Sequence, residues 1–477
     1  MTRNLCHRAL FIFLAGTNAV AGTIHVPADA PTIQAAIDST RASVILFENG
    51  EVEAAVVEGL TITGGRGTRW GGGSADSGGG GVLSRNGSRP TVRGCVITGN
   101  FGRNGGGLMC DASSSLRVEG CEITLNRASS FGGGIFWYAA GVGSVVEDCF
   151  LYRNFSASGG ALFCYEGSSP EIRRCRIESN NADSVAGGIC CLFDSSPKFS
   201  ACVFIGNLAS GGGAISCETD TDSPVFTNCL LVANIAFLAG AVQARSGAQP
   251  SFVNSTITGN GALDSDGGIF CPGGSPQFLN SIVKDNTPES VCGDLVSTLT
   301  DQNPRFVRFG EFVFERFATV DVAGSMLQMP DFIVEPGDYH LTADSPAIDS
   351  GRAEGAATTD LTGAERPCGL AVDLGAFERC PQAPAESFLR GDANDSGQAD
   401  ISDAVFVLVA LFSGGGLPGC LKSADSNDSG KVDVSDAVFL LSFLFTGGAP
   451  IPAPFGSCGF DLTADELSCT EPTSCAR

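Results

Sequence analysis

The segment Phe199-Ser-Ala-Cys202-Val-Phe204-Ile-Gly-Asn207 contains a pattern that recurs along half of this chain. Each copy has a cysteine or a serine followed five positions later by an asparagine, and the copies repeat with a period of about 27 residues, which is typical of a solenoid of stacked units. The pairs are Cys95/Asn100, Cys121/Asn126, Cys149/Asn154, Cys175/Asn180, Cys202/Asn207, Cys229/Asn234, Ser255/Asn260 and Ser281/Asn286. A further copy at residues 60–65 precedes them.

Apolar residues hold fixed positions around the cysteine and predict strands with an inward face. Three residues before it stand Val92, Val118, Val146, Ile172, Phe199, Phe226, Phe252 and Phe278, and two after it stand Ile97, Ile123, Leu151, Ile177, Phe204, Leu231, Ile257 and Val283. The position directly after the cysteine tolerates charge and is predicted to face outward. It is occupied by Val96, Glu122, Phe150, Arg176, Val203, Leu230, Thr256 and Ile282.

A second predicted strand follows the glycine cluster of each unit. Its aligned apolar residues are Leu108, Ile135, Leu162, Ile189, Ile215, Val242 and Ile269, and two further on stand Cys110, Trp137, Cys164, Cys191, Cys217, Ala244 and Cys271. Short strands between Gly and Asn turns, with no helical spacing, predict an all-β parallel β-helix over residues 56–286. The asparagines are expected to stack as a ladder at one corner.

This stretch resembles right-handed parallel β-helix proteins of the pectate-lyase-like architecture. Locally, Gly212-Gly-Ala-Ile215 and Phe204-Ile-Gly-Asn207 are similar to the repeats of bacterial polymorphic outer-membrane proteins. The segment 25–37 resembles the amphipathic cap of secreted β-helices, which implies a cap and a shortened first coil at residues 22–55. Residues 337–351 and 373–378 look like a closing segment, so we interpret residues 287–380 as irregular final coils and a C-terminal cap.

Near the C-terminus, Asp392-Ala-Asn394-Asp-Ser396-Gly397-Gln398-Ala-Asp400-Ile-Ser-Asp403 is repeated from Asp425 onward. Oxygen side chains fall at positions 1, 3, 5, 9 and 12, position 7 offers a carbonyl, and position 6 is glycine, as in calcium loops. The predicted Ca2+ ligands are Asp392, Asn394, Ser396, Gln398, Asp400, Asp403, Asp425, Asn427, Ser429, Lys431, Asp433 and Asp436. The alternative is a pair of Asx-rich surface turns.

Each loop runs into an apolar segment, and the duplicated unit at residues 388–448 resembles a type I dockerin, a small α-helical, EF-hand-like calcium domain of cellulosome-type enzymes. The resemblance implies a cohesin-like or cell-surface protein as partner. Where dockerins usually carry polar or basic recognition residues, this chain has Ile401-Ser402 and Val434-Ser435. Residues 381–387 are predicted to be a linker, and residues 449–477 a cysteine-containing tail.

Composition and the N-terminus favour an extracellular protein. The 477 residues contain 28 basic and 52 acidic side chains, and this excess argues against a nucleic-acid partner. Arg3 and Arg8, an apolar run at residues 9–15 and Ala19-Val-Ala21 predict a signal peptide at residues 1–21. An ordinary N-terminal helix is the alternative. No other stretch approaches the ~20 apolar residues of a spanning helix, so we expect a secreted or surface-located chain without a transmembrane segment.

Of the 19 cysteines after Cys6, 11 fall in the two inward columns. They form either a metal or redox column or small buried packing side chains, and the absence of repeat histidines favours packing. Six later cysteines, an even set, predict disulfides whose connectivity the spacing leaves open. They are Cys368, Cys380, Cys420, Cys458, Cys469 and Cys475.

No motif of the polygalacturonase type is present, and surface acids such as Glu119 and Glu147 recur singly. The segments 220–222 and 264–266, each Asp-x-Asp, read as solvated turns rather than calcium sites. The favoured function is a non-catalytic β-helix for binding, adhesion or surface structure. The alternative is a polysaccharide-degrading enzyme, a lyase or an O-glycosyl hydrolase displayed through its dockerin, so polysaccharide is a further possible partner.

Overall fold

The computed structural model describes residues 22–25, 42–69, 77–264, 267–289, 291–322, 325–335, 337–380, 387–416 and 418–459, and a few residues beyond. The predicted signal peptide, residues 26–41 of the predicted cap and first coil, and nearly all of the predicted linker lie outside the described residues. The chain divides into two compact units, residues 1–379 and 380–477.

The first unit is a solenoid of short parallel strands arranged in four sheets, which we call A to D. Sheet A has ten strands: Gly22–His25, Ala42–Phe47, Val82–Ser84, Leu108–Cys110, Ile135–Tyr138, Leu162–Tyr165, Ile189–Leu192, Ile215–Cys217, Val242–Ala244 and Ile269–Phe270. Sheet B also has ten: Val56–Glu58, Thr91–Arg93, Arg117–Glu119, Val145–Glu147, Glu171–Arg173, Lys198–Ser200, Val225–Thr227, Ser251–Val253, Gln277–Leu279 and Asp294–Val296.

Sheets C and D follow sheet B in the coils up to Gly261–Ala262. Sheet C consists of Thr61–Thr63, Val96–Thr98, Glu122–Thr124, Phe150–Tyr152, Arg176–Glu178, Val203–Ile205, Leu230–Val232, Thr256–Thr258 and Ile282–Lys284. Sheet D consists of Thr68–Arg69, Ser77–Gly78, Phe101–Asn104, Arg127–Phe131, Phe155–Ser158, Asn181–Val185, Leu208–Ala209, Ile235–Ala236 and Gly261–Ala262. The first two strands of sheet D pair antiparallel, and the other named pairs in the four sheets are parallel.

Left-handed corners explain why each coil has four strands rather than the two that were predicted. The residue before each repeat cysteine or serine has a φ between 47° and 58°, and the residue before each ladder asparagine has a φ between 50° and 64°. A single left-handed residue turns the chain sharply, and non-glycine residues such as Asp148 and Arg174 accept it there. The predicted strand around the cysteine therefore splits between sheets B and C.

The asparagine ladder is confirmed. All eight asparagines are buried, and each amide nitrogen from Asn100 to Asn260 donates to the Oδ1 of the next asparagine at 2.9 to 3.1 Å. Beside the ladder, Phe199, Phe226, Phe252 and Phe278 stack with ring centroids 4.8 to 5.2 Å apart. Like therefore packs on like along the interior, as the repeat predicted.

A closing segment at residues 299–379 folds back over sheet C. It contains the antiparallel pair Phe306–Arg308 and Asp338–Leu341 and the antiparallel hairpin Glu311–Val322 and Ser325–Glu335. Asn228 donates to the Thr359 carbonyl at 2.6 Å, and the Ala376 backbone donates to Thr256 Oγ1 at 2.9 Å. These contacts tie the segment to the later coils.

This cover corrects three predicted outward positions. Leu230, Thr256 and Ile282 are buried, because the closing segment packs on them, whereas Glu122 and Arg176 in the earlier coils are exposed. The apolar identity of Leu230 and Ile282 is thus explained by a partner that lies far along the chain.

The second unit is a small helical unit with α1 at Ile401–Phe412, α2 at Leu421–Ala424 and α3 at Val434–Thr446. Ala404 and Val407 of α1 pack with Ala437 and Leu440 of α3 in one apolar core. Each long helix starts directly at a predicted calcium loop, at its tenth position, so the loop and the helix form one duplicated element.

Candidate functional site

The first predicted calcium loop is a closed turn around the Asp392 and Asp403 carboxylates. Asp392 accepts the backbone N–H groups of Ser396 and Gly397, both at 2.8 Å, and Asp403 accepts those of Asn394 at 3.0 Å and Asp400 at 2.9 Å. Both acids are buried. Gly397 has a φ of 87°, which a side chain would strain.

The second loop repeats this geometry. Asp425 and Asp436 are fully buried and bind the equivalent backbone N–H groups. Burial, followed by the neighbouring Asp425 carboxylate, raises the pKa of Asp436 to about 7. The second loop also contains a buried oxygen, Asn427 Oδ1, which accepts no hydrogen bond. A buried amide oxygen without a donor is costly, and in a loop that also holds two buried carboxylates it suits a cation.

The remaining predicted ligands lie around the same two loops. The Gln398 carbonyl accepts the Ser396 hydroxyl at 3.2 Å, and Lys431 and Ser429 make the equivalent contact at 3.4 Å. Asp400 and Asp433 instead cap α1 and α3, each accepting the backbone N–H two residues on at 2.7 Å. Within the described residues, no group of three or more His, Cys, Asp or Glu side chains is arranged to hold a metal ion.

The C-terminal tail belongs to the second unit. Arg390 is fully buried, and its guanidinium donates to the Asp425 carbonyl at 2.9 Å and to Asp461 Oδ1 at 3.0 Å. It also lies 3.0 Å from Asp428 Oδ1. The backbones of Phe388 and Gly459 pair as a short bridge. The second loop is therefore braced by residues from both ends of the unit, which the spacing alone did not indicate.

The repeat cysteines are packing side chains. Among the described residues, eleven cysteines are free and all of them are buried. Burial raises the pKa of the Cys164 thiol well above its usual range. Some of these cysteines also accept hydrogen bonds from the neighbouring coil. The backbone N–H of Cys95 donates to Cys121 Sγ, with an N to S distance of 3.3 Å. The serines at 255 and 281 serve the same corner with a hydroxyl.

Cys271 corrects the prediction for the inward column, because it is bonded to Cys292. The predicted disulfides of the later cysteines are present. Cys420 pairs with Cys469, Cys458 pairs with Cys475, and Cys368 and Cys380 are also disulfide-bonded. Cys469 lies beyond α3, so its bridge to Cys420 attaches the tail, whereas the Cys458–Cys475 bridge closes a loop within the tail.

The predicted surface acids lie in ion pairs with arginines. Glu119 pairs with Arg93 at 2.7 Å, and Arg174 contacts Glu147 and lies 2.8 Å from Asp148. Asp222 accepts the Thr219 N–H at 2.9 Å, so it lies in a turn, but it is buried and not solvated as predicted. Residues 265–266 of the other predicted turn lie outside the described residues.

The closing segment contains a buried acid that the spacing did not single out. Asp373 accepts the backbone N–H groups of Asp349 at 2.7 Å and Arg379 at 2.6 Å. Burial, with help from the Glu378 and Asp349 carboxylates, raises the pKa of Asp373 to about 6. The folded protein therefore holds this proton more tightly than the unfolded chain does.

We expect Asp373 to make the first unit less stable as the pH rises. Its contribution is fully present below about pH 4 and is lost as the pH passes through about 6. The melting temperature of the wild type, measured relative to that of D373N, should therefore fall from pH 5 to pH 7.5, because the amide does not titrate. A constant difference across that range would contradict the assignment.

Another site missed by sequence reasoning lies where the closing segment ends on sheet C. His340 and Asp338 lie beside Arg176 there and line a depression of about 340 Å3. His340 lies far beyond Arg176 along the chain, so no local pattern could have connected them. A histidine-acid pair two residues apart, Asp338 and His340, was the one available signal.

Comparison with known protein families identifies the fold. A family model described as "Right handed beta helix region" matches residues 32–157 and 134–287. No curated protein matches the sequence. A solved structure described as "Crystal structure of pectate lyase Pel9A" is similar at 14% identity and a TM-score of 0.34, over 73% of this chain and 91% of that chain. Among the described helices, none has the length and apolarity needed to cross a bilayer.

Proposed function

Because the chain belongs to the family of right-handed β-helix regions, we propose that its first unit is an extracellular, non-catalytic binding platform and that its second unit is a calcium-dependent, dockerin-like attachment module. The observation that carries the proposal is the second loop. It contains two buried carboxylates, those of Asp425 and Asp436, and a buried amide oxygen, Asn427 Oδ1, that accepts no hydrogen bond.

In this proposal each loop holds one Ca2+ through its first, third, fifth, seventh and twelfth positions. Those oxygens include carboxylates, an amide, a hydroxyl and a backbone carbonyl, the mixed hard donor set that Ca2+ prefers. The ninth residues, Asp400 and Asp433, already cap the helices and contribute through water, as is common at that position. Removing the ion leaves carboxylates facing one another at low exposure, which destabilises the loop.

The helices support attachment to a partner protein. α1 exposes Ile401, Val405, Val409 and Phe412 at helical spacing, and α3 exposes Val434, Val438 and Phe445. Neither helix contains a lysine or an arginine. Two equivalent apolar stripes next to the calcium loops suit a partner with an apolar docking face, and we propose a cohesin-like or cell-surface protein.

Extracellular location is proposed from two independent features. The N-terminal segment has the composition of a signal peptide, and the disulfides of the chain require an oxidising compartment. The eleven free thiols do not oppose this, since they are buried in the solenoid.

Calcium titration of the full chain tests the module. We expect two ions per chain, and calcium at 100 times Kd should stabilise the second unit by about 2.7 kcal/mol for each occupied site. D403N and D436N should each remove one site. D395N is the matched control, because the fourth position supplies no ligand and asparagine tolerates its φ of 61°. Absence of calcium uptake by the wild type at millimolar concentration would refute the module.

A further inference from the structure

Sheet C is open to solvent in its earlier coils and is covered by the closing segment in its later coils. We call the edge of the closing segment, where the cover begins, the step. The closing segment covers this sheet from Val203 onward, so the outer faces of the strands at 122–124, 150–152 and 176–178 stay accessible. The depression under the step has an apolar floor that includes Val203, Leu230 and Val232. Its wall is made by the closing segment, which contributes Asp338 and His340.

The polar groups at the step are paired with one another. His340 Nδ1 lies 2.6 Å from Asp338 Oδ1, and its ring centroid lies 4.3 Å from that of Phe377. Arg176 Nε donates to the Glu178 carboxylate. Both pairs are partly exposed, so their outer lone pairs and N–H groups can bind a ligand.

A second, more open depression shares Arg176 with the first. It contains Phe150, Asp148 and Arg174. Phe150 and Tyr152 stack with ring centroids 5.3 Å apart, and both rings are half-buried. The two depressions together form an aromatic and apolar groove on sheet C, with charged pairs along its length.

The charged residues along the groove indicate which class of ligand it suits. Arg174 and Arg176 already have carboxylate partners, and Glu122 adds a further exposed acid. Each arginine that lines the groove is therefore already neutralised before a polyanion could reach it, on a chain with a net charge of −24. A peptide strand would find no free edge here, since the strands at 150–152, 203–205 and 230–232 are each paired on both sides.

We propose that this groove binds a neutral oligosaccharide. Sugar rings present apolar faces that pack on aromatic side chains, and their hydroxyls both donate and accept, which suits ion-paired carboxylates and guanidinium groups. The proposal rests on the binding role given above to the first unit and names its ligand class. It does not depend on the calcium module.

Binding of the full chain to soluble neutral oligosaccharides, namely β-glucan, xylan and mannan hexamers, tests the groove by calorimetry. Pectate and alginate hexamers are the charged comparison. We expect at least one neutral series to bind and the polyanions not to bind. F150A should weaken the neutral ligand about tenfold, and H340A should weaken it measurably.

F237A is the matched control, because Phe237 is also an exposed ring, at 50%, but lies outside both depressions. The F237A variant should bind the neutral hexamer with the affinity of the wild type. Melting curves of all variants check that they remain folded. Stronger binding of pectate or alginate, no binding of any neutral hexamer, or equal affinity of F150A and F237A would overturn the groove.

The chain length of the hexamers is measured after incubation with the protein. This measurement tests the non-catalytic role separately from binding in the groove. Shortening of a neutral hexamer by the wild type and not by F150A would support the groove and overturn the non-catalytic platform. Calcium uptake is measured separately, so a failed groove leaves the module intact.

Discussion

Replacing Asn180 by Asp should destabilise the first unit by about 3 to 5 kcal/mol. Asn180 Nδ2 donates to the Leu151 carbonyl and to Asn207 Oδ1, both at 3.0 Å, and its Oδ1 accepts from the Asn154 backbone at 2.9 Å. Asp cannot donate, so a buried carboxylate would face two acceptor oxygens at full burial. Neighbouring coils lose stability with it, because each coil contacts only its neighbours.

Urea unfolding followed by tyrosine and tryptophan fluorescence measures this loss, since Trp137 and Tyr138 lie near the affected coil. N181D is the control, because Asn181 is the next residue but is partly exposed and is not in the ladder. We expect N181D to unfold within about 0.5 kcal/mol of the wild type. Equal midpoints for N180D and N181D would mean that the ladder does not support the coils.

Replacing Glu378 by Ala should destabilise the closing segment by about 3 to 5 kcal/mol. Glu378 and Arg366 form an ion pair at 2.9 Å in which both side chains are fully buried. The Glu378 carboxylate also accepts the backbone N–H groups of Cys368 at 3.1 Å and Asp373 at 3.0 Å. Its removal leaves a guanidinium without its carboxylate and two N–H groups without acceptors.

Hydrogen exchange over residues 340–379 localises the effect, and E365A is its control, because Glu365 is exposed on the same segment. The double variant R366M/E378L removes both charges and should regain part of the stability, as replacing both members of a buried pair often does. A double variant no more stable than E378A would indicate that Glu378 acts through its backbone contacts rather than through Arg366.

The repeat was predictable because the residue at each repeat position contacts the equivalent residue in the next coil. Val92, Ile97 and Asn100 recur at the same positions, and stacking places each on its counterpart, so the buried column and the ladder follow from spacing alone. The disulfides of the second unit were predictable as a set but not as pairs. The number of strands was not predictable, since a left-handed residue such as Arg174 has no sequence signature at its corner.

Spacing along the chain was enough to predict the period of the solenoid, its inward residues, its asparagine ladder and the duplicated loops that precede α1 and α3. These features depend on residues that are close in sequence or one repeat apart. For such residues the number of positions between them determines which side chains meet in the folded chain. Spacing was not enough to predict which outward positions are covered or that His340 lies beside Arg176. Those contacts join segments that are far apart in the chain, and only the packing of the folded protein brings them together.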